Sequence, residues 1–116
     1  MKSYLPVFMF LLVLLAVACS KDDDDTCDTT DITYSNTVAD IFDTSCATSG
    51  CHVYGNEANA VFSLQGYANS KAAADLGGIV AAISHESYFP MPKGADKLGQ
   101  CEIDKISAWV AAGAPE

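Results

Sequence analysis

Apolar side chains fall along this chain in three regimes: a run from Leu5 to Ala18, none from Ser20 to Asp25, and short groups at helical spacing through much of the remainder. The first run follows Lys2, is short for a membrane span, and has the layout of a secretory signal peptide over residues 1–18. The second is a block of like charge that cannot bury apolar surface and reads as a solvated tether over residues 19–26. The third, residues 27–116, holds about ninety residues, enough for one domain with a marginal core.

Within that domain the spacing predicts helices and no convincing sheet. Asn36 or Thr37 is placed to cap a short helix running up to Cys46, with Val38, Ile41 and Phe42 on its apolar face. Gly50 and Gly55-Asn56 read as turns, and Val61–Leu64 as a short extended stretch. A helix is expected from Tyr67 through Ala74, interrupted at Gly77-Gly78 and resumed from Ile79 to about His85. Phe89 to Gly99, rich in proline and glycine, is an ordered loop. The last helix runs from about Glu102 to Ala112, with Ile103, Ile106 and Val110 on one face and Trp109 beside it. Glu102 and Asp104 complement its dipole, and Gly113 with Pro115 stops it. The helices at the two ends of the domain are expected to pack against each other.

Charge narrows the partners. The chain carries 6 basic and 15 acidic side chains. Loss of Lys2 with the signal would leave the mature side chains at five against 15, a net of −10. Such a surface argues against nucleic acid and anionic lipid, and suits a basic protein partner.

The candidate chemistry lies in Cys46-Ala47-Thr48-Ser49-Gly50-Cys51-His52. Two thiols can add across porphyrin vinyl groups, and the histidine beside them can reach the iron from one face. Four residues separate these cysteines, where the usual attachment motif has two. Downstream, Phe89-Pro90-Met91-Pro92-Lys93-Gly94 holds a methionine between two prolines. Other readings of these residues stay open: a local Cys46–Cys51 disulfide with His52 at the surface, or a zinc site of Cys46, Cys51, His52 and a further cysteine. Met91 could pack in a core, and His85 is a competing iron ligand. Tyr67, Tyr88 and Trp109 could line a cofactor pocket or simply fill the core.

With Met91-Pro92-Lys93-Gly94, the helix Ile103–Ala112 and the Gly113-Ala114-Pro115 ending, the thiol motif resembles small monohaem c-type cytochrome domains, in particular variants with a longer loop between the cysteines. The resemblance spans most of residues 27–116. It implies an all-α cytochrome c-like fold wrapped around one covalent haem c, with Cys46 and Cys51 as thioether sites, His52 as proximal ligand and Met91 as distal ligand. Both axial positions would then be filled, and the protein would carry electrons to and from redox partners without catalysing bond chemistry itself. A haem enzyme or sensor would need an open distal position. A haem-free binding lipoprotein held by disulfides is a third possibility.

Upstream, Leu15-Ala16-Val17-Ala18-Cys19 resembles the lipobox of bacterial lipoproteins, which implies lipidation of Cys19 and a membrane anchor in place of a spanning helix. Ser20-Lys21 followed by four aspartates looks like a surface-export signal of some Gram-negative lipoproteins. The implied location is extracytoplasmic and lipid-anchored, at the outer membrane, on its periplasmic or its outer face. Ordinary signal cleavage near Ala18 is the alternative.

Five cysteines complete the picture. With Cys19 assigned to lipid and Cys46 and Cys51 to haem, Cys27 and Cys101 remain, and an oxidising compartment favours their pairing. Closing a loop of roughly 75 residues would stabilise the domain by about 4 kcal/mol.

Overall fold

The structure, a computed structural model, describes residues 26–56 and 59–116. The expected signal peptide, Cys19 and the aspartate run lie outside the described residues. The described residues form helices and connecting turns with no strand, which matches the all-α expectation. None of these helices is long and apolar enough to cross a membrane.

The first element is a wide π-helical turn, Tyr34–Val38, that runs directly into α1, Ala39–Ser45. Its cap is Thr33, not Asn36 or Thr37. The Asn36 amide donates to Thr33 Oγ1 at 3.2 Å, and the Thr33 amide donates to Asn36 Oδ1 at 2.9 Å. This reciprocal pair satisfies donors that every helix start leaves open. The Asn36 side-chain amide also donates to the Asp31 carbonyl at 2.8 Å, which fixes the approach of the chain.

α2 spans Tyr67–Leu76, two residues beyond the expected end. Gly77 and Gly78 both take positive φ, which glycine adopts without a side-chain clash, and so turn the chain into α3, Ile79–Ile83. α4 spans Gln100–Ala111. Glu102 in its first turn accepts from the Gly99 amide at 3.0 Å, satisfying a donor just ahead of the helix. Val61–Leu64 makes no strand; Leu64 is buried and its amide donates to the His52 carbonyl at 2.9 Å.

α4 packs on both the π-helical turn and α3, as expected for the two ends of the domain. Trp109, Phe42, Ile106 and Val38 are fully buried. The Phe42 and Trp109 rings meet edge to face at 6.0 Å, a favoured aromatic geometry. Trp109 therefore takes the inward position on α4, whereas Val110 only lies partly against the core. Tyr67 also belongs here: its hydroxyl donates to the Ala114 carbonyl at 3.0 Å. Neither Tyr67 nor Trp109 lines the cavity described below.

The Cys27–Cys101 disulfide is present, with Cα atoms 5.4 Å apart and a sequence separation of 74. It ties the start of the described chain to the first turn of α4.

Candidate functional site

Cys46 follows the last residue of α1, and its amide donates to the Phe42 carbonyl at 2.9 Å. The chain then loops back on itself. Cys51 donates its amide to Thr48 at 2.9 Å, and His52 donates its amide to the Cys46 carbonyl at 3.1 Å. Gly50, at φ 80°, supplies the left-handed turn this return requires. The four residues between the cysteines are thus absorbed in a closed loop that brings His52 back beside Cys46.

The His52 ring is held by the segment that follows it. Nδ1 lies 2.9 Å from the Phe62 carbonyl oxygen, and the two rings stack with centroids 5.2 Å apart. A carbonyl only accepts, so Nδ1 carries the hydrogen and donates it. In the neutral imidazole this leaves the lone pair on Nε2, the arrangement by which a backbone carbonyl orients a metal-ligating histidine.

Cys46 and Cys51 are both free thiols, the first half-buried and the second exposed. Burial, reinforced by the Glu102 carboxylate and by Cys51, pushes the Cys46 thiol up to about 11 from its ordinary 9.0. It is therefore neutral at physiological pH.

Met91 lies on the loop that follows α3. Its amide donates to the Ala82 carbonyl at 2.9 Å, and its own carbonyl lies 3.1 Å from His85 Nε2. Cys46, Cys51, His52 and Met91 all line one cavity of about 1230 Å³. That exceeds the range of about 300–1,000 Å³ for pockets that take ordinary small ligands.

Phe42, Ile79 and Ile83, all core residues, form part of the cavity wall. At its mouth stand Val61, Tyr88 and Phe89, respectively 90%, 91% and 70% exposed. Although the chain is strongly acidic, no carboxylate lines the cavity among the described residues, and Lys93 is the one lysine there. The combination can accept a large flat apolar group with an anionic edge.

His85, the competing ligand, does not line this cavity. Zinc is poorly served: among the described residues no three His, Cys, Asp or Glu side chains converge as a metal site, and Cys27 and Cys101 are consumed in the disulfide.

The two thiols, His52 and Met91, singled out by residue type and by the resemblance, all line this one cavity. Residue types gave no sign of the Phe62 carbonyl, because a backbone oxygen has no side-chain signature. No protein family, characterised protein or solved structure matches the chain.

Proposed function

We propose that this chain is an electron carrier holding one covalent haem c, with Cys46 and Cys51 as thioether sites, His52 as proximal ligand and Met91 as distal ligand. One observation carries the reading: two free thiols, an imidazole with Nε2 left available and a methionine from a distant loop line a single large apolar cavity. Haem, when bound, supplies one-electron exchange between ferric and ferrous iron.

The chain's own residues do the rest. Cys46 and Cys51 keep the group attached through redox cycling, which matters where a lost cofactor would diffuse away. His52, oriented through Nδ1, would offer Nε2 to the iron, and Met91 would offer its thioether sulfur. A soft sulfur ligand favours the ferrous state and raises the potential relative to two imidazoles. With His52 and Met91 both bound, the iron would serve electron exchange and not reaction with oxygen or peroxide. The core side chains Phe42, Ile79 and Ile83 would exclude water from the inner wall, and Lys93 would offer a positive charge to an anionic edge.

We further propose that the domain is extracytoplasmic, carried on a lipidated Cys19 and the aspartate tether, and exchanges electrons with basic protein partners. The test is mass spectrometry and visible absorption of the denatured protein after co-expression with c-type haem attachment machinery. Retained haem mass with a thioether-type spectrum is the expected result. An unmodified mass with no Soret absorption overturns the proposal and leaves a haem-free, disulfide-held protein.

A further inference from the structure

α3 ends in a two-bond cap. The Glu86 amide donates to the Ala81 carbonyl at 2.9 Å, the His85 amide donates to Ala82 at 3.2 Å, and His85 itself sits at φ 60°. This is the left-handed helix-ending turn at which glycine is the usual residue, because a side chain crowds the backbone there. Glycine would cap α3 with less strain, so a histidine at this point calls for a reason outside the helix.

The ring supplies one. Its Nε2 lies 3.1 Å from the Met91 carbonyl oxygen, and since that oxygen only accepts, Nε2 donates. Pro90 and Pro92 have no amide hydrogen, so Met91 has the only backbone donor of these three residues. That donor goes to Ala82 at 2.9 Å. Both polar backbone groups of Met91 are therefore tied to the end of α3, one by its main chain and one by the His85 side chain.

We propose that His85 is a positioning residue that fixes the Met91 sulfur in the cavity by donating to the Met91 carbonyl, and that this is why a left-handed helix end carries histidine. The inference rests on the reading of Met91 as distal iron ligand. His85 acts through Met91 and does not touch the iron, in keeping with its position outside the cavity lining.

The experiment compares the full haem-loaded protein with His85→Gly and His85→Gln. Removing the ring should raise the fraction of protein with sulfur off the iron about fivefold, the factor that one neutral hydrogen bond supplies. It would be read as a weaker methionine-to-iron absorption band and faster carbon monoxide binding. In His85→Gly the Glu86 amide, which reports the cap, should keep its protection from hydrogen exchange while the Met91 amide loses protection. His85→Gln, with an amide donor at comparable reach, should recover most of the band. An unchanged band and carbon monoxide rate in His85→Gly, with the wild type showing methionine ligation, overturns the positioning role alone. Absence of that band from the wild type overturns the Met91 assignment and this inference together.

Discussion

Trp109 Nε1 donates to the Pro115 carbonyl at 2.8 Å, and the same oxygen accepts from the Tyr34 amide at 2.9 Å. One acceptor thus joins the start of the first helical element to the final turn of the last. The Ala114 amide returns to the Trp109 carbonyl at 2.9 Å, with Ala114 buried at φ 54°. The Gly113-Ala114-Pro115 segment is a latch across the π-helical turn, α2 and α4.

Deleting Ala114–Glu116 therefore strips acceptors from the Tyr34 amide, the Trp109 indole and the Tyr67 hydroxyl at once. Each donor left buried without a partner costs about 1–3 kcal/mol. Trp109→Ala, at a fully buried site, is expected to cost about 3–5 kcal/mol through the space it leaves. Urea unfolding of the purified domain measures both, and a loss below 1 kcal/mol for the deletion would contradict the latch.

Replacing Cys27 and Cys101 together by serine opens the loop with separation 74. The expected loss is about 4 kcal/mol, most of it through greater freedom of the unfolded chain. Haem content should persist, because neither cysteine lines the cavity. Parallel denaturation and haem quantification separate the two effects.

Substitutions at the proposed iron ligands should differ in kind. His52→Ala is expected to abolish stable low-spin haem. Met91→Ala is expected to keep covalent haem while opening the iron to carbon monoxide. Absorption spectra with and without carbon monoxide distinguish them, and an unaltered Met91→Ala spectrum would rule methionine out as the ligand.

In protein produced without haem attachment, the Cys46 thiol is held protonated by burial first, and then by Glu102 and Cys51, up to about 11 from 9.0. The folded state then keeps a proton that the unfolded state releases. Its contribution to stability is full below pH 9 and is lost as pH rises toward 11. The proposed haem attachment would convert the thiol to a thioether and should remove this alkaline slope. Unfolding midpoints of both forms across that window check it, and equal slopes would contradict the assignment of Cys46.

Much of this arrangement could be read before folding. Ile103 and Ile106, an acidic first turn and Gly113 delimit α4, and elimination among five cysteines yields the observed disulfide. The inward place expected of Val110 is taken by Trp109, since positions three and four residues beyond Ile106 share a helix face and the facing Phe42 ring decides which points inward. The start at Thr33 was missed because the reciprocal cap uses asparagine where glutamate or glutamine is the familiar partner. The end of α3 carried no glycine to mark it, and His85 offered itself as a ligand because its partner is a main-chain oxygen.

The disulfide also changes what a protease can do to this molecule. A single backbone cut between Cys27 and Cys101 leaves two peptides still joined by the sulfur bridge. If the cut falls between His52 and Met91, the proposed axial side chains end up on different peptides, His52 with Cys27 and Met91 with Cys101. They remain parts of one molecule, so a nicked protein runs as a single band on a gel until a reductant separates it.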